Sequence, residues 1–116
     1  MSVLYVIVTA TTIAANAGVA IADFAKARFV LANSAELDLP QSWLPLLAAL
    51  KTAGAAGLAA GLLGARFIGI AAATGLVLFF VGALIAHFRA RVFHNIAFPG
   101  AYLALAAASL VLAIAQ

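Results

Sequence analysis

Apolar residues run almost unbroken through four stretches of the chain, near residues 3–28, 43–64, 67–88 and 96–115, with polar positions at the ends of each stretch or along one side of it. Each stretch reaches the length of about 20 apolar residues that a helix rising about 1.5 Å per residue needs to cross the hydrocarbon of a bilayer. The pattern predicts four membrane-spanning helices. Ala32 to Ser42, ANSAELDLPQS, reads as the longest loop, with Ser42 as a helix cap, Trp43 at headgroup level and Pro45 in a first helical turn. Gly64-Ala65-Arg66 is short enough to make the second and third spans an antiparallel hairpin. Pro99 falls in the first turn of the last span, where its missing donor costs nothing.

The first span carries a polar stripe. Wound at about 100° per residue, Thr9, Thr12, Asn16 and Asp23 fall within an arc of about 60°. Lipid offers such groups no hydrogen-bond partner, so the stripe is expected to face the bundle interior. The threonine hydroxyls can return to carbonyls one turn back, which would leave Thr9 and Thr12 as satisfied structural groups. Asn16 and Asp23 are less simply accounted for, either as groups that pair helices or as candidates for a ligand pocket. Ala15-Asn16-Ala17 resembles a leader cleavage site, but no Lys or Arg precedes the apolar run and the pattern continues beyond it, so the segment reads as a retained helix.

The second span, WLPLLAALKTAGAAGLAAGLLG, combines a small-residue surface with one charge. Ala53, Gly57 and Gly61 recur every four residues, and Gly54 and Gly64 add to a face that a neighbouring backbone can approach closely. The first span is the expected neighbour. Lys51 lies about 10 Å inside the helix end; an ammonium there must snorkel, reach water or find a partner. Asp23, of opposite sign and at a similar depth, is the expected partner. His87, at the end of the third span, adds a side chain of the type that exchanges protons near neutrality. Tyr102, one turn into the fourth span, carries a phenol suited either to the same polar zone or to the interface. Arg89 and Arg91 read as topological anchors or lipid-headgroup contacts. His87 and His94 without a paired carboxylate make no metal site, and no residue pattern names a cofactor.

Composition confirms the class: 68% of the 116 residues are hydrophobic and 8% charged, against about 25% charged in soluble domains. Mean hydropathy is +1.25. The chain reads as one all-α domain over residues 1–116, an integral membrane four-helix bundle whose first partner is the lipid bilayer. A pI near 10.0 does not indicate nucleic acid, because the six Lys and Arg residues are scattered among the spans and form no basic stripe. There is no cysteine, which excludes thiol redox chemistry and thiolate-bound metal within the chain. Threading four spans puts Lys26, Arg28, Arg89 and Arg91 on one face and Arg66 with both termini on the other. The positive-inside rule then makes the loop face cytoplasmic and sends the termini outward, in a multi-pass protein of the cell membrane.

The run LPLLAALKTAGAAGLAAGLL, followed by IGIAAATGLVLFFVGALIAHFRAR and a final apolar span, resembles the DoxX-like family of small four-helix membrane proteins common in bacteria. The resemblance covers roughly residues 40 to 115 and rests on the combination of the LK-x2-G stretch with the HFRAR ending; residues 1 to 39 match in general layout. It implies the four-helix fold, with Lys51, His87, Arg89 and Arg91 as family-like polar positions. Some relatives are described as subunits of a thiosulfate:quinone oxidoreductase or as partners in membrane oxidoreductase assemblies and others have no settled activity, so what the resemblance implies is chiefly the fold, with a membrane oxidoreductase as one partner class.

Three readings of function follow. In the first, the bundle is an accessory or ligand-binding subunit with Asp23, Lys51 and His87 as a polar pocket near the cytoplasmic face, and a lipophilic small molecule or an oxidoreductase as partner. In the second it is an enzyme acting on a lipophilic substrate, by quinone-linked redox or proton-transfer isomerisation, with Asp23 or His87 moving a proton and Lys51 polarising a carbonyl. The third, a channel or transporter, would require a homo-oligomer, because four short spans enclose little space and no pair of broken helices is present.

Overall fold

The computed structural model describes Met1 to Gln116, and all of its regular structure is helical. Five α-helices form: α1 Val3–Phe24, α2 Arg28–Glu36, α3 Leu44–Leu62, α4 Arg66–Ala90 and α5 Ala97–Ile114. All but α2 are long and apolar enough to cross a membrane, α3 together with the 3-10 turn Gln41–Trp43 that leads into it. The chain is a multi-pass membrane protein. Its spanning helices alternate in direction and pack in a ring, α1 on α3, α3 on α4, α4 on α5 and α5 back on α1. Both termini lie at one end, and α2 with the α4–α5 connection lies at the other.

The helix ends follow their local chemistry. Ser2 caps α1 by accepting a hydrogen bond from the Tyr5 amide at 3.1 Å. The link between α3 and α4 turns at Gly64, whose φ of +110° is open to glycine and strained for other residues. Pro45 and Pro99 sit in the first turns of α3 and α5, where neither removes a helical hydrogen bond. Ser42 does not cap the second span as expected: it lies inside the 3-10 turn, and α3 starts without a side-chain cap.

Two further expectations are corrected. The first span ends at Phe24, not near Arg28, because Lys26 takes a left-handed conformation with φ 50°. The segment expected to be loop then opens with α2. Arg28 to Glu36 lacks the proline and glycine that break helices; Pro40 comes only after the chain has turned at Asp38, φ 56°. Hydrogen bonds from Asn95 Nδ2 to Asn33 Oδ1 (2.9 Å) and between His94 Nε2 and Glu36 Oε2 (2.6 Å) tie α2 to the α4–α5 connection.

The second correction concerns the glycine face of α3: α3 does pack on α1, and a Cβ on Gly61 would stand 3.5 Å from the Tyr5 hydroxyl, but the closest approaches of its glycines are to α4. A Cβ built on Gly61 would stand 2.8 Å from Gly69 Cα, and one on Gly57 would stand 2.5 Å from Ala72 Cβ. The three-residue link explains the choice, since it holds α3 and α4 side by side and their closest approach falls near it. Beyond that seam, Leu58, Ala73, Leu76, Phe80 and Ala106 form the apolar core.

Candidate functional site

The polar stripe of α1 does face inward. Thr9, Thr12 and Asn16 are wholly buried and Asp23 is 4% exposed, which follows from their common helical face and the lack of partners in lipid. Thr12 donates to the Val8 carbonyl at 2.8 Å, so its oxygen is left to accept the hydroxyl of Ser109, 2.8 Å away on α5. Asn16 Nδ2 donates to the Thr12 carbonyl at 2.9 Å. Thr9 does not make the expected return bond. Its hydroxyl, Asn16 Oδ1 and His87 Nε2 are buried without a partner, and such groups in a native interior are met by water or by polar atoms of something bound.

At the loop-face end of this stripe, Lys51 Nζ donates to Asp23 Oδ2 at 2.7 Å. Both side chains are largely withdrawn from solvent, 11% and 5% exposed. Lys51 therefore does not stretch to the headgroups; its stem turns toward α1, and the ammonium also lies 5.4 Å from the centroid of the Phe79 ring on α4. A buried pair of this kind is costly to break and cheap to remove whole, because either group alone is an uncompensated charge. Only one of the three ammonium donors has a hydrogen-bond acceptor.

Tyr102 turns inward from α5. Its hydroxyl donates to the Ala15 carbonyl at 3.1 Å, and its ring packs against Phe80 and Phe98. His87 is buried on α4, with Nδ1 2.8 Å from the Ala83 carbonyl one turn back on its own helix. It makes no hydrogen bond with Asp23 or Lys51, so the expected three-residue set reduces to a bonded pair and a separate histidine. Arg89 and Arg91 are exposed at the loop face with no carboxylate in salt-bridge range. Arg91 also closes α4 in a left-handed conformation, φ 56°, with the Val92 amide returning to the His87 carbonyl at 2.9 Å.

Ser109 is the interior residue that sequence reasoning passed over. It is wholly buried, and the available signal was its isolation as the one hydroxyl in the apolar run from Leu103 to Ala115. No cluster of His, Cys, Asp and Glu is placed to hold a metal ion.

Comparison with curated proteins and with solved structures returned no match. The match to a family model extends further toward the N-terminus than the stretch from residue 40 that carries the resemblance, and includes most of α1 with its polar stripe. With four spanning helices in an antiparallel ring and the model matching residues 7–109, the chain belongs to the DoxX-like family.

Proposed function

We propose that the bundle is a ligand-binding or accessory subunit that receives the polar end of a lipophilic molecule at the Asp23–Lys51 pair, near its cytoplasmic face. The observation that carries this reading is the pair itself: a 2.7 Å ion pair, set between membrane-spanning helices, whose ammonium keeps donors unspent. Stability alone gives little reason for it, since apolar residues of similar volume in place of a buried ion pair are often neutral or stabilising. Asn16 and Tyr102 lie deeper along the same interior, and the unpartnered Asn16 Oδ1 gives a donor on the ligand, or a water, something to bond. Arg89 and Arg91 meet lipid headgroups at the surface.

The reading places the protein in the cell membrane with the loop face cytoplasmic. Lys26, Arg28, Arg89 and Arg91 at that face against Arg66 at the other support the orientation. A membrane oxidoreductase is the partner class that the family resemblance brings.

One observation favours a second reading, proton-transfer catalysis: His87 Nε2 is buried and unpartnered, poised to exchange a proton with a substrate that reaches it. Both readings are tested by solvent extraction and mass spectrometry of purified protein. A lipophile recovered with the wild type and absent from the doubly neutral Lys51→Met/Asp23→Asn variant supports binding at the pair. Equal recovery from both contradicts it. Chemical conversion of that lipophile, lost in His87→Gln, would turn the conclusion to the enzyme.

A further inference from the structure

At the end of the bundle that carries both termini, a pocket of about 220 Å³ opens between the helix ends. Tyr5 of α1, Gly61 of α3, Gly64, Arg66 of α4, Ala113 of α5 and Gln116 line most of it. Gln116 is held against the start of α1, where its Oε1 accepts a hydrogen bond from the Ser2 amide at 2.9 Å. The volume falls short of the about 300–1,000 Å³ typical of sites that enclose a whole small molecule, so the pocket suits a single polar group. It lies at the opposite end of α1 from the Asp23–Lys51 pair and is independent of how that pair is read.

Two walls of the pocket carry donors with unspent capacity. Tyr5 is 5% exposed, yet its side chain makes no hydrogen bond within the protein; only its amide is bonded, to the Ser2 hydroxyl. Its oxygen stands beside Gly61, where a Cβ would lie 3.5 Å from it. A buried phenol ordinarily finds a partner, because leaving one unsatisfied is costly. Arg66 spends one N–H on the Ile114 carbonyl at 2.9 Å, which fixes the guanidinium on the pocket and leaves most of its five-donor fork free. No acidic side chain competes for it, since Asp23, Glu36 and Asp38 all lie toward the loop face. The 25-residue helix α4 also starts at Arg66 without a side-chain cap, so its positive end adds to the guanidinium charge.

We propose that this pocket binds a phosphate oxyanion, held by the Arg66 fork and the Tyr5 hydroxyl together. The guanidinium supplies the charge and the planar geometry that match phosphate oxygens, and the phenol supplies a donor on a second helix. Phosphate of this kind reaches the end of a membrane bundle either as the phosphodiester of a lipid headgroup or as the free ion. Tyr5 is the residue that separates this site from an ordinary surface arginine among headgroups, because its hydroxyl has no role in holding the fold.

The test is isothermal titration calorimetry in an uncharged detergent with dihexanoyl phosphatidylglycerol, inorganic phosphate, and dihexanoylglycerol, which lacks the phosphate. Wild-type protein should bind the phospholipid at least tenfold more tightly than dihexanoylglycerol. Tyr5→Phe should leave thermal unfolding without ligand unchanged and weaken phospholipid binding about tenfold, the loss expected for one hydrogen bond to a charged acceptor. Arg66→Gln should weaken it at least as much, and Arg66→Lys, which keeps the charge but not the fork, should restore only part. Arg89→Gln, at the other face, should leave binding unchanged. Inorganic phosphate that binds as tightly as the phospholipid, and weakens equally in Tyr5→Phe, supports the site and makes the free ion its ligand; phosphate that binds more than tenfold less tightly supports the lipid. Equal binding of phospholipid and dihexanoylglycerol would overturn the proposal, as would unchanged phospholipid affinity in Tyr5→Phe. A loss in Arg89→Gln equal to that in Arg66→Gln would also overturn it, since phosphate would then be drawn to any basic residue at the micelle surface.

Discussion

Moving one methyl group across the α3–α4 seam measures how tightly the hairpin is packed. In Gly57→Ala the new Cβ would lie 2.5 Å from Ala72 Cβ, and carbon atoms rest at about 3.5–4.0 Å, so the helices must part by about 1 Å or more. Overpacking of this kind costs about 1–3 kcal/mol, offset by up to about 1 kcal/mol of helix propensity gained on replacing glycine. The single variant therefore shows a reduced effect. Ala72→Gly removes the opposing methyl, and Gly57→Ala/Ala72→Gly transfers it from one helix to the other. Propensity terms belong to each helix alone and cancel in the cycle, so the coupling isolates the steric contact at about 1–3 kcal/mol. Reversible unfolding in mixed micelles, followed by far-ultraviolet circular dichroism, provides the four stabilities. Coupling below about 0.5 kcal/mol would mean that Gly57 and Ala72 do not face each other, and the arrangement of the hairpin described above would be wrong.

Thr12→Val should lower stability by about 0.6 kcal/mol, the mean for hydrogen bonds between membrane helices, through loss of the 2.8 Å contact with Ser109; the same cost in a Ser109→Ala background would show that the two do not meet. The absence of native cysteine makes topology easy to read: a cysteine at Gln116 should react with an impermeant maleimide outside intact cells and one at Ala35, exposed on α2, should not, whereas the reverse would invert the orientation. His94→Ala should cost less than about 1 kcal/mol, because its partner Glu36 is also exposed, yet it should hasten proteolysis at α2; unchanged cleavage would mean that the contact does not hold the helix down.

Membrane class, four spans and the inward stripe of α1 were all legible in the sequence, because each rests on one-dimensional signals: apolar length, helical period and the penalty lipid imposes on polar groups. The partner of Lys51 was legible for the same reason, Asp23 being the acid at its depth. What the sequence left undecided was which faces meet. The small-residue face of α3 fits any close neighbour, and the choice of α4 depends on the short link and the order of helices around the ring. Nor does similar depth imply a hydrogen bond, as His87 shows by bonding back to Ala83 on its own helix. The extent of α2 was hidden because Asn33, Ser34 and Pro40 carry turn signals, while the helix that contains the first two is secured by Asn95 and His94, about sixty residues away in the chain.

The meeting of Asp23 and Lys51 inside the bundle is tested most directly by a double-mutant cycle in the same micelle assay. Lys51→Met alone strands a carboxylate that is 4% exposed, a loss expected to cost about 3–5 kcal/mol. Lys51→Met/Asp23→Asn removes both charges and should recover most of that stability, giving a coupling of about 2 kcal/mol or more. Additive effects, with coupling below about 0.5 kcal/mol, would show that the two groups do not meet and that Lys51 reaches for the headgroups instead.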